Sequence, residues 1–355
     1  MNKLLLSSAV AVLALSAAPA FAQDDSTLKL NLGGHFKGYV NYTNQDDGLA
    51  AGDVRDFDIL RQTEVHFGGE TTLDNGLTVG AQLEAIADGG ESFDLDESYV
   101  YLAGTWGRVN FGDEDGAAYL LQVAAPSGDD NVDGIRQFIN PISFAGGGLT
   151  DFYDGGIDYA NDIAGNADKI TYLTPVFSGF QAGVSYTPSV TDGAVTVSRG
   201  GNGNALEDTS LEDVFEGSLR YEGSFNNVGM ILGGGYTYAD DIDQWNVGAD
   251  FDIGAFGLGA VYTDLDVDGI EASAETWVLG GDYTTGPFKV GVSYLNQDTE
   301  LLGADLETDR YTGGVIYTYG PGMSFRGSVS YADFDAAGAG DADATSVLLG
   351  TQINF

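Results

Sequence analysis

The chain has 355 residues, with 54 acids against 13 Lys plus Arg, a net charge of −41, 53 Gly, no Cys and a mean hydropathy of −0.06. Such a charge repels phosphates and excludes nucleic acid as a direct partner. With no cysteine, an exported form must be held by hydrogen bonds, packing or ions rather than disulfides. Aromatic residues make up 12%, too many for the disorder that acidity alone would suggest, so an ordered β protein is expected.

The N-terminus reads as a cleaved leader over residues 1–22. Met1-Asn2-Lys3 is a short positive start, Leu4 to Leu15 is apolar, and Ala20-Phe21-Ala22 is a small-x-small cleavage site. Residues 23–355 then form a single domain. No later apolar run is long enough to cross a bilayer as a helix, which leaves a β-barrel as the way to span one.

From Leu28 the chain alternates with period two. Leu28, Leu30, Leu32, Phe36, Val40 and Tyr42 share one face, and Lys29, Asn31, His35, Lys37 and Asn41 the other. Further alternating segments follow at 57–70, 77–86, 95–103, 108–112, 168–174, 180–187, 214–222, 228–238, 244–253, 256–263, 274–284, 288–295, 308–319, 323–332 and 345–355. That makes about sixteen strands, an even number as single-chain outer-membrane barrels require. Short turns such as Asp74-Asn75-Gly76 and Gly320-Pro321-Gly322 are interleaved with longer Asp- and Gly-rich loops, as on the two rims of such a barrel.

Aromatic placement separates a membrane barrel from a soluble sandwich. On the apolar face aromatics recur six residues apart, as in Phe36/Tyr42, Phe180/Tyr186, Phe215/Tyr221, Trp245/Phe251, Phe256/Tyr262, Trp277/Tyr283, Phe288/Tyr294, Tyr311/Tyr317 and Phe325/Tyr331. Six residues rise about 20 Å along a strand, or about 15 Å along the normal of a tilted barrel, within an apolar band of about 25 Å. Two aromatic rings bracketing aliphatic residues suit two lipid interfaces. Segments 77–86, 95–103, 108–112 and the last strand lack the pair. That sector is therefore expected to face another subunit.

The stretch Asp264-Leu-Asp-Val-Asp-Gly-Ile-Glu-Ala-Ser-Ala-Glu275 has EF-hand spacing, with Asp264, Asp266, Asp268 and Glu275 as Ca²⁺ ligands. An EF-hand needs helices on both sides, and both flanks alternate as strands. What remains is an acidic loop, and the sequence leaves open whether it holds Ca²⁺ or stands unliganded.

The stretches TTLDNGLTVGAQLEA (71–85), ESYVYLAGTWGRVNFGDEDGAAY (97–119) and DKITYLTPVFSGFQAGVSYTP (168–188), with the terminal GTQINF, resemble the general diffusion porins of Gram-negative, especially alphaproteobacterial, outer membranes. The resemblance covers essentially the whole mature chain. It implies a homotrimer of transmembrane antiparallel barrels set among lipid and lipopolysaccharide. Each barrel would be a passive water-filled path for ions and small hydrophilic solutes, needing no cofactor, with a long third loop folded inward as a constriction. That loop corresponds to about 113–167, whose acids include Asp113, Glu114, Asp115, Asp129, Asp130, Asp133, Asp151 and Asp154.

The resemblance also implies bases on the wall opposite the acids. Parity points Lys37, Arg108, Lys169, Arg220, Arg310 and Arg326 inward, together with His35 and His66. Arg61 has outward parity, so either a bulge turns it in or it lies at a subunit contact. The constriction bases are therefore expected to be Lys37 and Arg326, with Arg61 and Arg310 beside them. An acidic pore should prefer cations. The alternative is a substrate-specific outer-membrane channel with a solute site. A hydrolase is disfavoured because His35 and His66 are the only histidines, and the nine-residue repeat of a calcium β-roll adhesin is absent.

Overall fold

Alternation of apolar and polar residues builds a wall whose inside is polar and whose outside is apolar, the reverse of a soluble β protein. On the first strand Tyr39, Asn41 and Thr43 are buried toward the interior, while Val40 and Tyr42 stand exposed on the outer surface. The same inversion places Thr171, Thr237, Thr263, Thr276, Thr308 and Ser346 inside, and Leu219, Val247, Leu258, Val292 and Leu349 outside. Exposed apolar side chains in such number would aggregate in water; in lipid they are the solvated face.

The structure is a computed structural model describing residues 28–46, 55–87, 94–142, 157–190, 211–268, 272–301, 304–336 and 340–355. The leader, Asp151, Asp154 and Gly269 of the EF-hand stretch lie outside the described residues. In chain order the strands are β1 (Lys29–Gln45), β2 (Phe57–Thr72), β3 (Thr78–Ile86), β4 (Asp94–Gly104) and β5 (Gly107–Asp113). After two single-turn helices, α1 (Ala117–Leu120) and α2 (Asp130–Asp133), come β6 (Asp168–Leu173), β7 (Phe180–Ser189), β8 (Glu212–Phe225), β9 (Val228–Ala239) and β10 (Ile242–Ile253). The chain ends with β11 (Phe256–Val267), β12 (Ala272–Thr285), β13 (Phe288–Leu301), β14 (Ala304–Gly320), β15 (Met323–Ala336) and β16 (Gly340–Asn354). Each strand pairs antiparallel with its sequence neighbours and β1 pairs with β16, so the sheet closes without an edge. The C-terminal residue completes the seam: Gly34 N donates to Phe355 O at 3.0 Å and Phe355 N to Gly34 O at 3.1 Å.

The turns of one rim are as short as backbone chemistry permits. Asn226 and Asn227, at φ 50° and 64°, make the two-residue turn between β8 and β9, which needs two left-handed residues. Ladder register stacks the aromatic pairs into two rows. Phe180 meets Tyr221, Phe256 meets Tyr283 and Phe288 meets Tyr317 in one row; Tyr186 meets Phe215, Tyr262 meets Trp277 and Tyr294 meets Tyr311 in the other, with ring centroids 4.4–4.9 Å apart. In the second row Tyr186, Tyr236, Tyr262 and Tyr294 donate their hydroxyls to Asp213, Asp243, Asp264 and Asp309 at 2.5–3.2 Å.

Several strands run past their expected ends. β11 continues to Val267 and β12 begins at Ala272, so Asp264 sits on a strand directly opposite Glu275, and Asp266 opposite Ser273. The acidic stretch is thus a paired hairpin rather than a free loop. Of the four acids only Asp268 leaves the ladder, and they do not converge on one point. Pairing persists here because backbone hydrogen bonds continue beyond the membrane band, where both faces are polar and alternation no longer marks a strand.

Candidate pore constriction

The segment between β5 and β6 lies against the inner wall. Its first pass runs over small residues: a Cβ on Gly280 would sit 1.8 Å from Pro126 O, one on Gly291 2.3 Å from Ser127 O, and one on Gly248 2.8 Å from Val123 Cβ. No side chain fits between wall and segment at these points, so the glycines of β10–β14 form a track for its backbone. The return pass is held by wall side chains. Arg310 Nη1 donates to Ile157 O (2.6 Å), Thr263 Oγ1 to Tyr159 O (3.1 Å), Gln244 Nε2 to Ala160 O (3.0 Å) and Thr237 Oγ1 to Asn161 Oδ1 (2.6 Å). Gln122 ties the passes together by donating to Tyr159 O at 2.7 Å and accepting from Asn161 N at 2.9 Å.

The expected site residues fall into two groups. In the first, α2 is fastened to β1 and β15. Arg326 Nη1 lies 2.8 Å from Asp129 Oδ1 and also pairs with Asp130. Tyr39 donates its hydroxyl to Asp129 at 3.0 Å, Ser293 donates to Asp133, and Lys37 Nζ stands 3.2 Å above the centroid of the Phe138 ring. Asp129 is fully buried. Burial pushes its carboxyl up to about 6 against the downward pull of Arg326.

In the second group Glu114 is buried and accepts from Asn110 Nδ2 at 2.7 Å, while Asp115 lies 3.7 Å from Arg136. Burial pushes Glu114 up to about 7 against Arg108, and burial together with Asp162 raises Asp115. Asp113 ends β5 opposite Asp168.

Arg61 is a correction to the expected wall bases. β1 and β2 pair without a register shift, Arg61 opposite Gly38, so no bulge turns it inward and it stands exposed on the outer surface beside Ile59. Arg310 is inward and buried, but it holds a backbone carbonyl rather than facing an open passage.

Arg136 and Phe138 were missed. Arg136 pairs with Asp162 and Asp115 and stacks on Tyr119, with 4.7 Å to the ring centroid. As the one base between residues 113 and 167, it carried a legible signal. Phe138 carried none, since nothing in the sequence marks an aromatic in a loop as the partner of a wall lysine.

Asp130, Arg136 and Phe138 keep part of their surface free, and the inner wall of β1–β4 presents His35, Glu64, His66, Glu84 and Glu97. Most interior bases already have partners: Lys169 donates to the carbonyls of Glu114 and Gly165, Arg220 to that of Gln122, and Lys289 lies 3.7 Å from Asp282. The excess interior charge is negative.

A closed barrel of sixteen strands, aromatic-girdled outside and polar inside, with a segment packed against its interior, defines a membrane-spanning channel protein. The family model described as Gram-negative porin matches residues 9–350, and the chain belongs to that family, whose members are outer-membrane channels rather than enzymes. An outer membrane protein U of Vibrio vulnificus is 29% identical over 358 residues, covering 97% of this chain and 92% of the relative. An uncharacterised protein of Rickettsia conorii is 25% identical over 69% of this chain, and the match spans 63% of that relative's length. Among solved structures, the anion-selective porin from Comamonas acidovorans has a TM-score of 0.62 at 19% identity, covering 93% of this chain and all of that one. The trimer form of OmpT from Vibrio cholerae has a TM-score of 0.60 at 15% identity, covering 92% and 99%. At such identities the structural likeness speaks for the fold alone.

Proposed function

We propose that the chain, exported by the leader over residues 1–22, is a passive, cation-preferring diffusion channel for ions and small hydrophilic solutes, constricted by the segment over residues 113–167. The observation that carries this is the pairing of interior charge. Arg326 is neutralised by Asp129 and Asp130 and Arg136 by Asp115 and Asp162, so these bases are balanced within the constriction and the excess of interior acids over bases sets the sign of the field. Low-dielectric walls focus that field and concentrate cations. Opposed charges around Lys37, Asp130 and Arg136 orient water across the opening, and an apolar solute must displace that water to pass. No cofactor is needed for this.

Three copies assembling side by side are supported by Arg61. Its place opposite Gly38, between the levels of Phe36 and Tyr42, lies within the apolar band, where a lipid-facing arginine costs about 2–4 kcal/mol. A protein neighbour removes that cost. The carboxylates beside the second row of aromatics would meet lipopolysaccharide phosphates, and divalent cations there would bridge like charges.

In a planar bilayer, the expected behaviour is ohmic steps whose conductance rises with salt and is indifferent to the identity of added sugars. Saturable block by one solute class would replace general diffusion with a substrate-specific channel.

A further inference from the structure

The chain has only two histidines, and the ladder brings them together. On adjacent strands, His35 of β1 lies opposite Glu64 of β2, and His66 of β2 lies opposite Glu84 of β3. All four side chains therefore project from one patch of the pore wall. His66 Nε2 is 3.1 Å from Glu64 Oε2 and 3.3 Å from Glu84 Oε2, and His35 Nε2 is 3.8 Å from Glu64 Oε1. The ligand atoms of His35, Glu64 and His66 all lie within 4.8 Å of one another, the one such cluster among the described residues.

We propose that His35, Glu64, His66 and Glu84 form a Zn²⁺ site on the pore wall that lets the metal modulate conduction. Zinc bound at about 2.0–2.2 Å to nitrogen and carboxylate oxygen holds tetrahedral neighbours about 3.4 Å apart. The His66 contacts already have that spacing, and His35 reaches it by a small ring movement. Two imidazoles with carboxylates suit zinc, whereas Ca²⁺ and Mg²⁺ select oxygen-only shells. Gln62 now spans the gap, accepting from His35 Nε2 at 2.5 Å and donating to Glu64, so the ion must displace its carboxamide. Lys37 stands two residues from His35 on β1, and its ammonium covers the Phe138 ring of the constriction. A bound dication there adds to the charge of Lys37 and opposes cation entry.

The test is calorimetric titration of ZnCl₂ into the detergent-folded full chain, paired with single-channel recording while ZnCl₂ and then EDTA are added. One site per chain is expected, with a reversible fall in conductance. His35→Gln and His66→Gln should each weaken binding by about tenfold or more. Gln62→Ala removes the competing amide, keeps all four ligands and should bind at least as tightly; it also controls for folding. CaCl₂ should not compete. Zinc binding unchanged in both histidine variants would assign the metal to surface carboxylates and overturn the site, as would an absence of binding at millimolar zinc.

Discussion

Asp129 and Arg326 show how one pair can organise a pore. Asp129 is buried and its charge is tolerable only because Arg326 and the Tyr39 hydroxyl face it. Removing one partner of a buried pair costs about 3–5 kcal/mol, chiefly by stranding the other charge. Arg326→Ala should therefore loosen α2 from the wall, seen as larger and noisier single-channel currents; currents as quiet as those of the unaltered chain would show that the pair does not fasten the segment. The same residues predict a pH dependence. Glu114 and Asp129 sit at about 7 and about 6, so acidification from about pH 7.5 to about pH 5 protonates both and removes negative charge from the interior. Cation preference should fall over that window, and reversal potentials that stay constant across it would contradict the assignment.

At the level of elements, the glycine track makes the inner wall and the segment one packed unit. Gly280→Ala places a methyl group on the backbone oxygen of Pro126, which cannot yield as a side-chain tip would, so the segment must move. A changed conductance is expected. Gly217→Ala, on the outer face with nothing within 4 Å, should leave conductance unaltered. Equal conductance in the two variants would mean that the track does not position the constriction. The order of the strands and their faces were legible because each alternation reports its own face, down to the inward Lys37, Arg310 and Arg326. The extension of β11 and β12 through the acidic stretch was not legible, because above the membrane both faces are polar and pairing leaves no period in the sequence. Arg61 was misplaced for the opposite reason: its parity pointed outward correctly, and the expectation of a base cluster overrode it. The contacts of the 113–167 segment could not be read from sequence at all, since they link residues such as Asp129 and Arg326 that only barrel closure brings together.

For the whole molecule, the outer surface divides into a girdled sector, from β7 through β15, and a sector around β3–β5 that lacks paired aromatics, as the last strand, β16, also does. If the second sector faces other copies, a cysteine at Val79 should be shielded from a lipid-soluble thiol reagent while one at Leu258 reacts; equal labelling would remove the argument for an assembly through that face. The charge of the whole molecule, −41, and the pairing of most interior bases make the sign of selectivity the most exposed consequence of this structure. It is also where the chain should part from the Comamonas porin, whose fold it shares and which is anion-selective. The decisive measurement is the reversal potential of the purified protein in a neutral-lipid bilayer across a KCl gradient at neutral pH. A potential of the sign set by K⁺ is predicted; one set by Cl⁻ would show that the wall bases, not the excess of interior acids, control the passage.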